Sequence, residues 1–270
     1  MVAAKGSPGA SCAALALALA WPLRSERAGD PGAAERVLVI EADPAGSSAF
    51  PGYLGGELDP GCGMDAVVGA GTGDGQIGAA VAEALLALQG YPDRYLLVGF
   101  SDPAVMAAHH DTWPRLAAWL QSIARGPGRT DVLVDLGRVG TAGDPVPLLQ
   151  VADVVMVVCR ATLPSVLAAH HSAVHVEGLT ARGLCDAPVV GLLVADGPYP
   201  PGEVEAALRM PLAGVLSWDP AAAQVFSHGR AAGRGFTRGP LLRSARQLAS
   251  RTVAHLAAAT SAGNGVVLDA

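Results

Sequence analysis

Residues 4–12 read Ala-Lys-Gly-Ser-Pro-Gly-Ala-Ser-Cys. They lie between a short apolar stub, Met1–Ala4, and an Ala-Leu run from Ala10 to Trp21. A run of that kind without a breaker predicts a helix, and Pro22 ends it. A glycine-rich turn feeding straight into a helix presents backbone N–H groups and the positive end of the helix dipole, the arrangement that holds phosphate. Lys5 adds an ammonium and Ser11 a hydroxyl. Carboxylates stand at the ends of later apolar runs: Asp43 closes VLVIEAD (Val37–Asp43), and Asp135 lies in DVLVDLG (Asp131–Gly137). Ser11 with Asp135 offers the hard oxygen donors that suit magnesium, a cation that keeps several waters in its shell.

These groups meet only if the elements carrying them lie side by side. Val37–Ala42, Tyr95–Phe100, Asp131–Leu136, Asp153–Cys159, Pro188–Ala195 and Leu212–Ser217 are short apolar runs, as expected of strands. Helices are expected over Gln76–Gln89, Pro103–Ala124, Leu163–Leu179, Pro201–Leu208, Pro220–Ser227 and Leu241–Ala259, and a loop over residues 44–63. Strands alternating with helices imply a parallel sheet covered on both faces. The expectation is an α/β chain: a single-domain, three-layer, doubly wound, mostly parallel sheet of about seven strands over residues 1–260, then a flexible tail over 261–270. Ligands bind such sheets at the C-terminal ends of strands, where the longest loops follow the second strand and Asp135. Met1–Ala4 is short for a central strand, which predicts that the natural chain begins several residues earlier.

With 270 residues, 51% of them hydrophobic and 16% charged, the chain is no disordered polymer and can bury a sizeable core. Of its 18 basic residues, 17 are arginine, and Lys5 is the one lysine. Asn occurs once and Ile three times, a pattern of AT-poor codons that points to a GC-rich bacterium and to lysines drifting to arginine. A single lysine kept beside a glycine-rich loop raises the question of whether an ammonium is needed there. The four cysteines show no CxxC spacing, so a reducing, cytoplasmic setting fits better than a disulfide framework. A net charge of −6 argues against a protein that binds nucleic acid over its whole surface. Ala13–Leu23 mimics a signal h-region but follows Gly-Ser-Pro-Gly and precedes no Ala-x-Ala site.

The ordinary P-loop is GxxxxGK[ST]; Gly9 and Ser11 fit its late positions and Ala10 replaces its lysine. The loop instead resembles the deviant Walker A of the MinD/ParA family, KGGxxK[ST]. Lys5 matches the signature lysine, Gly6 the first glycine, Ser7 the second, Gly9 the next glycine and Ser11 the magnesium-binding hydroxyl. Ala10 departs from the second lysine, as in the pilus-localising (TadZ/CpaE-like) branch. Val37–Asp43 resembles the strand ending in DxD, with Glu41 and Asp43 at the acidic positions; the resemblance implies that Asp43 orients the attacking water. Asp131–Gly137 resembles the switch II strand, giving Asp135 the magnesium role. Asp153–Ser165 resembles the strand and loop that follow, and Val215–Pro220 the late loop over the base, where Asp219 stands.

The resemblance implies ATP and Mg2+ as ligands, held by Lys5, Gly6, Ser7, Pro8, Gly9, Ala10, Ser11, Cys12 and Asp219. It also implies a homodimer in which Lys5 reaches the partner's phosphates, and a role in positioning a pilus, a secretion apparatus or a partition complex, with recruitment to a pole or a membrane-associated complex. Loss of the lysine at position 10 removes charge from the β/γ-phosphates and implies weak binding or slow ATP hydrolysis. The competing reading is a nucleotide-independent pseudo-ATPase scaffold on the same fold; a metabolic P-loop enzyme would need a substrate signature that the chain does not show.

Other residues have plainer readings. His171 and His175 share a helix face but have only Glu177 as a nearby acidic partner, so a solvated face is expected rather than a metal site. Cys159 and Cys185 read as buried small hydrophobes. The last helix, with Leu241, Leu242, Ala245, Leu248, Ala249 and Leu256 toward one side, is expected to pack on the sheet rather than on a membrane. Arg230, Arg234, Arg238, Arg243, Arg246 and Arg251 form a local basic series of the kind ParA-type relatives use on DNA, set against an acidic chain.

Overall fold

A computed structural model describes residues 1–3, 9–26, 33–59, 61–70, 76–126, 128–140 and 143–263. Lys5, Gly6, Ser7 and Pro8, and the tail from residue 264, lie outside the described residues. In chain order the elements are β1 (Val2–Ala3), α1 (Ala10–Ala20), β2 (Arg36–Glu41), α2 (Gly63–Gly69), α3 (Ile77–Ala84), β3 (Leu86–Ala87), β4 (Arg94–Leu97), α4 (Pro103–Ala108) and α5 (Thr112–Arg125). There follow β5 (Thr130–Asp135), α6 (Val146–Gln150), β6 (Val155–Arg160), α7 (Leu163–Thr180), β7 (Val189–Ala195), α8 (Pro201–Leu208), β8 (Leu212–Ser217), α9 (Pro220–His228) and α10 (Pro240–Gly263).

The α/β class and the parallel pairing are as the sequence predicts, but among the described residues the strands form two sheets of four, each smaller than the seven expected. One runs β3-β4-β2-β5 and the other β1-β6-β7-β8, and among the described residues the β3–β4 pair is the one antiparallel pairing. At the seam between the sheets, among the described residues, Ala3 of β1 bridges Arg138 just beyond β5. Backbone bonds cross that seam, from Leu136 N to Met1 O (2.9 Å) and from Ala3 N to Gly137 O (2.6 Å).

Side-chain alternation assigns the faces. Val37 and Val39 of β2 join Leu96, Val158, Leu192 and Leu216 in a core that spans both sheets beneath α1 and α10. Leu38 and Ile40 point the other way, into a core with α2, α3 and α5. α1 is apolar around its whole circumference and is buried accordingly, apart from half-buried Ser11 and Cys12. α10 buries Leu241, Leu242, Ala245, Leu248 and Ala249 and exposes Arg243, Arg246 and Arg251; Leu256 is only half-buried. Leu248 packs over Gly214 of β8, where a Cβ would meet its Cδ1 at 3.0 Å. Among the described residues no helix is long and apolar enough to cross a membrane.

Two predicted helices are corrected. The stretch Pro103–Ala124 is α4 and α5 with a break at His109–Asp111. Pro114 has no N–H to bond the carbonyl of residue 110 and its ring would crowd it, so one continuous helix cannot form. The stretch Gln76–Gln89 is helical only to Ala84; Leu86 and Ala87 then pair with Leu96 and Tyr95. Ala-Leu periodicity does not distinguish a short helix from a strand, and the pairing with β4 decides. α2 and α6 come from segments with no helical expectation, and α10 runs through residues 261–263, beyond the helix end expected at Ala259.

The far end of α1 is held by a buried arginine. Arg94, 3% exposed, donates from Nε to Ala18 O (2.9 Å), from Nη2 to Trp21 O (2.9 Å) and Glu26 Oε1 (2.8 Å), and from Nη1 to Pro92 O (3.0 Å). The guanidinium thus meets carbonyls at the negative end of the helix, adding a second donor to Ala18 O, which also accepts from Trp21 N at 3.3 Å. Arg94→Met removes all four of these bonds, those to Ala18 O and Trp21 O at the end of α1 among them, and should lower stability by about 3 kcal/mol in chemical denaturation; an unchanged midpoint would contradict this account of α1's anchoring.

Candidate functional site

The C-terminal ends of β2, β5, β6 and β8 and the start of α1 open onto one cavity of 530 Å³. Gly9 leads into α1 at φ +97°, a backbone shape that favours glycine, and its carbonyl accepts the first helical bond, from Ala13 N at 2.8 Å. The amides of Ala10, Ser11 and Cys12 precede that bond, so they belong to the unpaired first turn of the helix. All three residues, with Gly9, line the cavity. α1 has no acidic side chain in its first turn to offset this positive end.

At the wall of the cavity Ser11 Oγ donates to Asp135 Oδ2 at 2.5 Å. Asp135 is 2% exposed, and its other oxygen, Oδ1, accepts from Gly137 N at 3.0 Å. The two donors anticipated for magnesium, separated by 124 positions in sequence, therefore stand in contact. Ser48 Oγ joins them at 2.7 Å from Ser11 Oγ.

Behind this pair lies Glu41, 4% exposed. It accepts from Ser47 Oγ (2.5 Å), Ser48 N (3.1 Å), Ser48 Oγ (3.2 Å), Ala49 N (2.8 Å) and Gly99 N (3.1 Å). Burial pushes its carboxyl above the usual range, an effect the hydrogen bonds from Ser47, Gly99 and Ala49 partly offset and the charge of Asp135 reinforces. Glu41 thus fixes the 47–49 segment onto β2 and β4 and carries Ser48 to Ser11.

Asp43 lies at the cavity wall, with Oδ1 accepting from Ala45 N at 2.8 Å. Its carboxyl is also raised, first by burial and then by Asp135, while Arg138 acts in the opposite direction. Asp43 fills the space over Gly137: a Cβ on Gly137, whose φ is +57°, would fall 1.9 Å from Asp43 Cγ. Asp219 also reaches the cavity, but Oδ1 is occupied in capping α9, accepting from Ala222 N at 3.1 Å. Burial and Asp135 push the Cys12 thiol up to about 11, against the opposing charge of Arg160, so it stays protonated at neutral pH.

The sequence did not single out Ser47, Ser48, Gly137, Arg138, Arg160 or Trp218. Arg160, at the end of β6, pairs with Asp196 (3.2 Å) and lies over the half-exposed ring of Trp218, 5.3 Å from its centroid. The available signal was an arginine directly after a strand in a chain almost without lysine. His175 does have an acidic partner, Asp144 Oδ2 at 3.2 Å, from a loop distant in sequence. Among the described residues no group of three or more His, Cys, Asp and Glu side chains is placed to hold a metal alone. Arg243 and Arg246 each donate to backbone carbonyls, those of Arg238 and Thr237.

No protein-family model matches the chain, and no curated protein does. Solved structures do match it in shape. The septum site-determining protein MinD from Pyrococcus horikoshii, complexed with Mg-ADP, superposes with a TM-score of 0.67 at 17% identity, covering 93% of each chain. The chain has the MinD/ParA fold. A ParA family ATPase from Chlorobium tepidum gives 0.63 at 18% identity, over 93% of this chain and 97% of its own. MinD in the Aquifex aeolicus MinC:MinD complex gives 0.63 at 15% identity, over 100% and 97%.

The Gly137–Asp43 contact generates a test. Gly137→Ala adds a methyl where Asp43 lies and keeps a residue at positive φ that alanine adopts poorly. The expected cost is about 1–3 kcal/mol, together with displacement of Asp43, read by denaturation and by the chemical shifts of the 43–49 segment. A variant as stable as the parent, with those shifts unmoved, would show that the contact does not constrain the site.

Proposed function

We propose that the chain binds ATP with magnesium at the N-terminus of α1 and forms a nucleotide-linked dimer that positions a larger assembly. The observation that carries this is the Ser11–Asp135 contact on the wall of a cavity into which the first-turn amides of α1 open. The residues fit the ligand: hard oxygen donors for magnesium, backbone N–H groups for phosphate and a positive-φ glycine that brings the chain close. Magnesium, when bound, neutralises phosphate charge. Ser11 and Asp135 would hold it, the amides of Ala10, Ser11 and Cys12 would bind phosphate oxygens, and Asp43 would orient the attacking water. Gly6, Ser7 and Pro8 complete the loop in this reading, and Asp219 lies toward the base. Lys5 reaches the partner's phosphates across the dimer.

Ala10 contributes a methyl where a lysine would stand, which supports weak or slow hydrolysis. The assembly is a pilus, secretion apparatus or partition complex, and a protein partner is expected by analogy with the MinC:MinD complex. The competing reading, a scaffold that keeps the fold without nucleotide, is favoured by the same alanine and by the way Ser11 and Asp135 already satisfy one another.

Light scattering and thermal melting with ATP and magnesium separate the two. A ligand that binds only the folded state raises the melting temperature. The expected result is a raised melting temperature and a doubled mass for the wild type, with Lys5→Ala melting as the wild type does without nucleotide but staying monomeric with it. No shift at millimolar ATP would leave the scaffold reading standing.

A further inference from the structure

If Ala10 leaves the terminal phosphates without their lysine, another cation must meet them or the site discriminates poorly between di- and triphosphate. Among the described residues the cavity is lined by two cationic side chains that are charged at all pH values, Arg138 and Arg160. Arg160 is committed: Asp196 pairs with it and Trp218 lies against its face. Arg138 is exposed at the rim, and among the described residues its side chain makes no hydrogen bond or ion pair. Its charge nevertheless reaches the site, since it counters the rise of the Asp43 carboxyl.

Its placement follows from the backbone. Asp135 Oδ1 fixes Gly137 N, and Gly137 O in turn accepts from Ala3 N at 2.6 Å. Gly137 itself has no room for a side chain against Asp43. The chain therefore leaves β5 along one path, with positive-φ glycines at 137 and 140 on either side of Arg138. Three residues beyond Asp135, Arg138 lines the same cavity as the carboxylate proposed for magnesium, on a side chain long enough to change its reach.

We infer that Arg138 is the cation that meets the terminal phosphate of a bound triphosphate, in place of the lysine absent at position 10. The inference rests on the nucleotide reading above. A guanidinium offers several N–H donors in a fixed fork that suits phosphate oxygens, and it makes charge-assisted bonds. Arg138 contributes nothing comparable to a diphosphate, so it biases the site toward the triphosphate state.

Calorimetric titration of ATP and ADP, each with magnesium, tests this in the wild type, Arg138→Ala and Arg138→Lys. Arg138→Ala should weaken ATP binding about 10- to 100-fold and ADP binding less than about threefold, with Arg138→Lys recovering part of the ATP loss. Melting without nucleotide should be unchanged, because the side chain holds nothing in the fold. Equal ATP affinity in wild type and Arg138→Ala would overturn the inference and leave nucleotide binding intact. Equal losses for ATP and ADP would also overturn it, since the arginine would then not read the terminal phosphate. A wild type that binds neither nucleotide would overturn the nucleotide reading and the inference with it.

Discussion

The buried carboxylate of Asp135 is the constraint on which the site depends. One oxygen holds Ser11 at the start of α1, the other holds the backbone of Gly137, and its own carbonyl accepts from Ala42 N at 2.7 Å. A single residue at the end of β5 thus registers a helix and a loop through its side chain and a neighbouring strand through its carbonyl. The chain just after Asp135 also carries the backbone bonds, from Leu136 N to Met1 O and from Ala3 N to Gly137 O, that join the two sheets at the site. α1 is held at both ends by polar groups in an otherwise apolar setting: Asp135 meets Ser11 at its start, and Arg94 donates to the carbonyls at its finish.

A second carboxylate, Glu41, sits one strand away in register with Asp135. Two buried acids side by side would repel, and each is stabilised by donors of its own. For Glu41 the donors come from residues 47–49 and 99, which converts an irregular loop into a defined wall of the cavity. Ser48 links the two systems through Ser11. A displacement of the 47–49 segment is therefore coupled through hydrogen bonds to the donors proposed for magnesium.

Much of this fold was legible because long apolar runs such as Val37–Ala42 and Asp131–Leu136 leave few alternatives to a buried strand. Leu212–Ser217 matches the observed strand residue for residue. Where local pattern misled, tertiary contacts had decided: Leu86–Ala87 is a strand because β4 pairs with it, and Pro114 breaks a helix whose hydrophobic period continues. At the site, Ser11 and Asp135 were legible as oxygen donors before their contact was visible. Arg138, Ser48 and the Asp144 partner of His175 were not, since each acquires its meaning from a neighbour brought close only by folding. Lys5, on which the composition places most weight, lies outside the described residues.

The account's central claim is that the Ser11–Asp135 pair is the magnesium end of a triphosphate site. Titrating ATP with and without magnesium into the wild type and Asp135→Asn, a change that keeps the shape and removes the charge, addresses it most directly. The account predicts that magnesium strengthens ATP binding by at least about tenfold in the wild type and has almost no effect in Asp135→Asn. The same magnesium dependence in both proteins would contradict it.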